Sequence, residues 1–150
     1  MNDGLFYSMT PTTRLAPGEQ VIHAFTPDKG AYWRDHAWIA AVAMALGMAI
    51  LWAIGNPHVW TGAVGGLAAV AIRSWYLQSE EMAVRWVLTQ DRLLGPNGRK
   101  MRIAEIDRLR SLGSAVQVIT ASGDKHLLKY QADRDATLTQ LRRAGAGRGA

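Results

Sequence analysis

The chain of 150 residues contains no cysteine, which excludes disulfide bonds, thiolate metal sites and a cysteine nucleophile. It also has no HExxH motif, no Gly-x-Ser-x-Gly motif and no glycine-rich loop ending in Lys-Ser or Lys-Thr. The histidines share no metal-ligand spacing: His23, His36, His58 and His126. We therefore expect a protein without enzymatic activity, without a metal site and without a cofactor.

Charged residues are missing from two consecutive stretches, 37–54 and 55–72. A helix needs about 20 apolar residues to cross about 30 Å of hydrocarbon, and segments 36–55 and 58–77 have that length. The second segment meets the requirement only if Arg73 lies near the end of the span, where its side chain can reach the headgroups. Residues 55–57, Gly-Asn-Pro, allow a tight reversal, so we predict a hairpin of two transmembrane helices over residues 36–77.

The positions of the tryptophans support the membrane interpretation, because indole rings favour the interface between lipid and water. Five of the six tryptophans lie near the predicted ends of the spans: Trp33, Trp38, Trp52, Trp60 and Trp75. The alternative is a helical hairpin buried in a soluble core. That alternative leaves the tryptophan positions unexplained and gives a chain this short little material to cover the helices.

Small residues indicate how the two helices meet, since close backbone approach holds helices together in lipid. Gly62 and Gly66 form a GxxxG spacing in the second span, and Ala41, Ala45 and Ala49 form a stripe in the first. Small residues are also abundant in membrane helices in general, so a packing role and simple abundance both remain open.

Basic residues are distributed unevenly. Three of the seventeen, Arg14, Lys29 and Arg34, precede the apolar region, and the others follow from Arg73 onward. The turn between the spans carries no charge, so we expect both termini in the cytoplasm and a multi-pass protein of the cytoplasmic membrane. The same bias accounts for the basic composition without a nucleic-acid partner. We expect no cleavable signal peptide, because about 35 residues precede the apolar run.

After the hairpin, the spacing of apolar residues changes to two, and Met82, Val84, Trp86 and Leu88 share one face of a predicted strand. Residues 96–98 predict a turn, and residues 103–113 a short helical turn that ends near Gly113. Residues 115–120 and 125–130 predict a hairpin around a turn at 122–124.

The ends of the chain carry further signals. Asp133 as N-cap and an apolar stripe through Leu138 and Leu141 predict a C-terminal helix, followed by a flexible tail over 145–150. In the N-terminal segment, 1–35, residues 18–26 alternate in polarity and predict a strand that returns beside the sheet. The alternative for 18–26 is an extended, unpaired approach to the membrane. The predicted cytoplasmic domain then covers 78–144.

This order of elements resembles the bacterial pleckstrin-homology-like (PH-like) membrane proteins, over about Gly18 to Ala144. The residues that carry the resemblance are Trp86-Val87-Leu88-Thr89 with Arg92-Leu93, then Ile103-Ala104-Glu105-Ile106, then the strand pair and helix to Arg143. The stretch Ser114-Ala115-Val116 departs from the glycine-rich strand entry of the family. The resemblance implies a bacterial α+β domain, an antiparallel sheet with a C-terminal helix, and no enzymatic residues to carry over.

Two basic groups follow the hairpin in sequence: Arg99, Lys100 and Arg102, then Arg108 and Arg110. Basic residues beside an anionic leaflet gain about 1 kcal/mol each. We expect a non-catalytic, membrane-anchored interaction module that contacts lipid and a membrane-protein partner, as an accessory or assembly factor of a larger complex. The alternative function is a sensor of anionic lipid headgroups that uses these five residues, and the remaining interpretation is a solvated basic face.

Overall fold

The computed structural model describes residues 10–146 of the chain. In chain order the strands and helices are β1 (Val21–Phe25), α1 (Lys29–Ala53), α2 (Trp60–Ala83), β2 (Trp86–Thr89), β3 (Arg92–Leu94), β4 (Lys100–Arg102), β5 (Ile106–Leu112), β6 (Ala115–Thr120), β7 (Lys125–Leu128) and α3 (Arg134–Ala146). The chain divides into two compact units. The helical unit is Tyr32–Glu81, and the sheet unit consists of the residues on both sides of it, of which 10–31 and 82–146 are described.

In the helical unit, α1 and α2 form an antiparallel pair. Gly47 of α1 approaches Gly62 of α2, and Ala43, one turn earlier, approaches Gly66, one turn later. Gly55 has a φ of 73°, a conformation that favours glycine, and it ends α1 at the reversal. Within residues 10–146, α1 is the one helix whose length and composition would let it cross a membrane.

Both helices extend beyond the predicted spans of 36–55 and 58–77. α1 begins at Lys29, because the side chain of Asp28 accepts a hydrogen bond from the backbone N–H of Ala31 at 2.8 Å and caps the first turn. α2 continues to Ala83, so the prediction that a strand begins at Met82 is wrong. Residues 78–83 include several good helix formers, so the helix continues through Met82 and Ala83, and the alternating segment forms a strand only from Trp86 onward.

The sheet unit contains a four-stranded antiparallel sheet in the order β1-β2-β3-β4 and a three-stranded antiparallel sheet in the order β5-β6-β7. β1, which precedes the helical unit in sequence, pairs with β2, which follows it, and Phe25 lies opposite Trp86. Segment 18–26 therefore contributes a paired strand instead of an extended approach. The helical unit is an insertion between two neighbouring strands of one sheet.

The core of the sheet unit combines inward side chains of both sheets with one face of α3. Its buried members are Phe25, Trp86, Leu88, Leu93, Met101, Ile103, Val116, Val118, Leu128, Leu138 and Leu141. The carboxylate of Asp133 accepts hydrogen bonds from the backbone N–H groups of Asp135 and Ala136, each at 3.0 Å, and caps α3 as predicted. Capping fixes the start of the helix that turns Leu138 and Leu141 into the core.

Two local predictions are corrected by the structure. Residues 103–113 form a 3-10 turn at Ile103–Glu105 followed by the strand β5, not a helical turn ending near Gly113. A bulge between Ile106 and Arg108 inserts one residue, so the half-buried Ile106 and Leu109 stand three apart and imitate helical spacing. The predicted tail at 145–150 is also partly wrong, since Gly145 and Ala146 belong to α3, and 147–150 lie outside the described residues.

The departure from the family pattern at residues 114–116 does not interrupt the sheet. Leu112 pairs with Ala115, so Gly113 and Ser114 form a two-residue turn between β5 and β6. Gly113 has a φ of 59°, which such a turn requires. The glycine that this turn needs is Gly113, which lies directly before residues 114–116.

Candidate functional site

Large apolar side chains cover the outside of the helical unit. Trp75 is 81% exposed, Trp52 is 75% exposed, and Ile72 is 72% exposed. Others that are exposed include Ile39, Val42, Leu46, Met48, Ile50, Val64 and Leu67. None of the apolar window in α1 is buried. Soluble monomers rarely expose contiguous apolar patches larger than a few hundred Å², so this surface is suited to lipid or to another protein.

The five tryptophans predicted as an interface belt all lie exposed in two groups. Trp52 and Trp60 flank the turn between the helices, and Trp33, Trp38 and Trp75 lie towards the opposite end of the pair. An antiparallel pair brings the start of α1 and the second half of α2 to the same end. The two groups are therefore separated along the helix axes, as the two interfaces of a bilayer would require.

The contact between α1 and α2 depends on glycine. A Cβ added at Gly62 would lie 2.3 Å from the carbonyl carbon of Gly47, and one at Gly66 would lie 2.5 Å from the carbonyl oxygen of Ala43. Gly62 and Gly66 thus lie at the helix contact, as the GxxxG spacing indicated. Ala41, Ala45 and Ala49 do not: they are exposed, because the face of α1 turned to α2 carries Ala43, Met44 and Gly47.

A polar contact also joins the two helices near the end opposite the turn. The hydroxyl of the buried Tyr32 donates to the backbone carbonyl of Ser74 at 2.7 Å, and the Ser74 hydroxyl donates to the carbonyl of Val70 at 2.6 Å. Nδ1 of His36 lies 2.8 Å from the carbonyl oxygen of Tyr32. Each of these polar groups has a partner, which keeps their burial from being costly. Nothing local in the sequence signals this pairing.

In the sheet unit, the N-terminal segment is held by Glu19. Its carboxylate accepts hydrogen bonds from Nη2 of Arg92 at 2.6 Å, from Nε of Arg92 at 3.0 Å and from the hydroxyl of Thr89 at 2.6 Å. The backbone N–H of Ala16 adds another at 2.7 Å. These hydrogen bonds, first of all those from Arg92, lower the pKa of Glu19 from 4.5 to about 2. The segment is thereby tied to the turn between β2 and β3.

The five basic residues predicted as a binding patch are all exposed, but they belong to two different sheets. Arg99, Lys100 and Arg102 lie at and in β4, whereas Arg108 and Arg110 lie in β5. In the described part of the chain, none of the five forms an ion pair. They are therefore available to an anionic ligand. Three of them belong to the four-stranded sheet and two to the three-stranded sheet.

The half-buried His126 and the buried Trp86 form an aromatic contact, with ring centroids 6.0 Å apart. Burial, and then the positive charge of Arg99, lower the pKa of His126. The negative charge of Asp124 opposes this lowering of the His126 pKa. The indole N–H of Trp86 is buried without a hydrogen-bond partner among the described residues. Residues 10–146 also contain no group of three His, Cys, Asp or Glu side chains suited to a metal.

Shallow grooves flank α3. One of about 320 Å³ is lined by Ile106, Asp107, Arg108, Leu141 and Arg142, among others. A second of about 540 Å³ is lined by Ile22, Leu88, Gln140 and Arg143, among others. Charged side chains of Asp107, Arg108 and Arg142 line the first groove, and the side chains of Thr139, Gln140 and Arg143 line the second.

Comparison with known proteins adds no identification. No family model, no curated protein and no solved structure matches the chain.

Proposed function

We propose that the chain is a non-catalytic, membrane-anchored interaction module of PH-like fold, which acts as an accessory or assembly factor of a larger complex in the bacterial cytoplasmic membrane. The observation that carries the proposal is the apolar outside of the helical unit, where α1 has no buried residue in its apolar window. Burial of such a surface in lipid or against other transmembrane helices removes it from water.

The pairing of β1 with β2 supports the second span. Both strands belong to one sheet, so the chain between them must return to the side of the membrane from which it left. If α1 crosses the bilayer, α2 must cross it in the opposite direction. Arg73 makes α2 less apolar than α1. A long basic side chain near the end of a span can reach the headgroups, and the ten helical residues that follow Arg73 can extend beyond the lipid.

The order of elements in the sheet unit supports the PH-like part of the proposal. The resemblance implies antiparallel strands followed by a C-terminal helix, and the sheet unit has four and three antiparallel strands followed by α3. Trp86, Leu88 and Leu93, which carry part of the resemblance, are buried in the core of the sheet unit.

Membrane anchoring is tested by alkaline carbonate extraction of the full chain. Wild type should remain in the membrane pellet, while Leu46→Arg with Ile50→Arg should move it to the supernatant, since each charge at a helix centre costs about 3 kcal/mol of insertion. Leu112→Arg is the matched control, because it places an arginine at an exposed leucine of the sheet unit. Extraction of wild type would contradict the proposal.

The partner is tested by co-purification in mild detergent. Ala45 is exposed on α1 and small enough to let another helix approach closely. Ala45→Leu should weaken recovery of a membrane-protein partner, whereas Val64→Leu, at an exposed and already bulky position on α2, should not. Recovery of wild type alone, after chemical crosslinking in intact membranes, would count against an accessory subunit.

A sensor of anionic lipid headgroups is the second candidate. It is favoured by the exposure of Arg99, Lys100, Arg102, Arg108 and Arg110 and by the lack of ion pairs to them in the described residues. The two candidates differ in how the protein responds to the charge of the lipid. The sheet unit of a lipid sensor should bind anionic membranes without any other protein, whereas an accessory subunit requires its protein partner.

A further inference from the structure

The three-stranded sheet has one face in the core and one face turned away from it. Val116, Val118 and Leu128 are fully buried on the inner side, where α3 also packs. Neighbouring residues along a strand point to opposite sides, so the register of the sheet assigns the other positions to an outer face. We call this surface the outer face; its residues used below are Arg108, Arg110, Leu112, Gln117, Ile119, Lys125 and Leu127.

The outer face is basic. Arg108 lies opposite Ile119, which in turn lies opposite Lys125, and Arg110 occupies the next row. No Asp or Glu occupies a position of this face in the registers of β5, β6 and β7. The nearest acids along the chain lie elsewhere: Asp107 is in the bulge, and Asp124 accepts a hydrogen bond from Ser122 within the turn at 3.0 Å. Arg108, on an edge strand, also borders the groove beside α3.

Apolar side chains lie between the basic ones. Leu112 is 50% exposed, and Ile119 and Leu127 are half-buried on the same face. Basic residues interspersed with apolar ones match the interfacial zone of a bilayer, where headgroup phosphates lie above acyl chains. A lipid surface can adapt its mobile headgroups to these basic residues. A folded acidic protein would instead have to present its carboxylates at fixed matching positions.

The chain connections keep the sheet unit near a membrane if the helices span one. Three residues separate β1 from α1, and two separate α2 from β2. Such short connections give the sheet unit a high effective concentration at its own leaflet. Weak contacts that would not recruit a free protein can therefore dock a tethered one.

We propose that the outer face docks on anionic phospholipids of the membrane in which the helices sit. This inference rests on the proposed membrane anchoring and assigns the lipid contact to Arg108, Arg110 and Lys125. The group Arg99, Lys100 and Arg102 is not required for it. Each basic residue in contact shifts the ratio of docked to undocked protein by about fivefold, so three together shift it by roughly a hundredfold.

The test uses the full chain in lipid nanodiscs of phosphatidylcholine, alone or mixed equally with phosphatidylglycerol. The natural lack of cysteine allows an environment-sensitive fluorophore to be attached at Gln117→Cys, in the centre of the outer face, without background labelling. Acrylamide, a neutral quencher, should quench this label several-fold less in the anionic discs. A label at Ala136→Cys, exposed on α3, should be quenched equally in both.

Charge reversal identifies the residues. Arg108→Glu, Arg110→Glu and Lys125→Glu together should remove the protection at residue 117. The matched triple Arg99→Glu, Lys100→Glu and Arg102→Glu, of equal charge change on the other sheet, should keep it. Circular dichroism of each variant establishes that it is folded.

Equal quenching of wild type in both kinds of disc overturns the inference, and so does protection that only the second triple removes. Co-elution of the chain with discs of either composition separates this failure from failure of the membrane proposal. A chain that stays in the discs with an unprotected outer face is anchored but not docked, and its basic face is then left to an acidic protein. A chain that leaves the discs refutes both.

Discussion

At residue 95 a missing side chain makes room for a neighbour. A Cβ added to Gly95 would lie 2.4 Å from Cζ3 of Trp86. Trp86 is a core residue opposite Phe25, and its rigid ring has no room to withdraw. We expect Gly95→Ala to lower the free energy of unfolding by about 1–3 kcal/mol, as overpacking does, measured by denaturant unfolding followed by circular dichroism.

Gly145→Ala serves as the control for Gly95→Ala. A Cβ at residue 145, near the end of α3, would meet no atom within 4 Å. Alanine is also the better helix former, so this variant should be neutral or slightly stabilised. Equal stability of the two variants would show that Trp86 can move aside.

Glu19 makes a prediction about pH. Its pKa falls from 4.5 to about 2 on folding, so its contribution to stability is complete above about pH 4.5 and is lost as the pH falls through about 2. The unfolding temperature of wild type should exceed that of Glu19→Gln at neutral pH, and the difference should vanish near pH 2. Asp107→Asn, which removes an exposed carboxylate without a hydrogen bond to Arg92, is the control and should change the unfolding temperature little at neutral pH. A difference between wild type and Glu19→Gln that does not change with pH would contradict the assignment.

Contacts between residues close in sequence could be predicted from local patterns, and contacts between distant residues could not. The N-cap Asp133 was predictable because its partners are two and three residues away. Glu19 and Arg92 are 73 residues apart with a helical unit between them, and no local pattern links them. The same holds for Gly47, whose role depends on which face of α1 meets α2.

At the scale of elements, type was predicted better than boundaries. The turn at 96–98 and the hairpin of β6 and β7 follow local chemistry, and Asn97 and Gly98 have the positive φ values, 58° and 71°, that their residue types favour. The strand β5 was missed because a bulge gave its apolar residues helical spacing. The packing role suggested for Ala41, Ala45 and Ala49 was wrong, because composition alone does not show which face of a helix meets its neighbour.

The glycines of α2 give a prediction for the helix pair. Gly62→Val should force the backbones of α1 and α2 apart and destabilise the pair by about 1–3 kcal/mol, measured as the midpoint of unfolding by sodium dodecyl sulfate in mixed micelles. Gly65→Val provides a control three residues away, since a Cβ there would meet nothing within 4 Å. Equal midpoints for both variants would rule out a glycine-dependent contact.

β1 gives a prediction for the sheet. Phe25 is 4% exposed and contributes a large side chain to the core from before the helical unit. Phe25→Ala should lower the free energy of unfolding by about 3–5 kcal/mol, whereas Val21→Ala, exposed on the same strand, should change it little. Denaturant unfolding of both variants measures the difference. A small effect at Phe25 would mean that β1 is not part of the folded sheet.

For the whole molecule, the pairing of β1 with β2 has a consequence for membrane topology. The two strands flank the helical unit in sequence and lie side by side in one sheet. If the helical unit spans a membrane as proposed, both of its ends must therefore emerge on the same side. This requirement is independent of hydropathy, and it applies equally to α2, which is less apolar than α1. Under the same proposal, the basic residues favour the cytoplasmic side for both ends, because they flank the helices and are missing from the turn.

We therefore expect a cysteine placed in the turn and one placed in the sheet unit to face opposite sides. In intact cells, a membrane-impermeant maleimide should label Asn56→Cys, in the turn, and should label Ala132→Cys, exposed between β7 and α3, only after the membrane is permeabilised. The cysteine-free wild type supplies the unlabelled background. Labelling of both positions in intact cells would place the sheet unit outside the cytoplasm, and labelling of neither would mean that the helices enter the membrane without crossing it. Either outcome would contradict two full crossings of the membrane, because the turn and the sheet unit would then lie on the same side. The pairing of β1 with β2 is compatible with both outcomes.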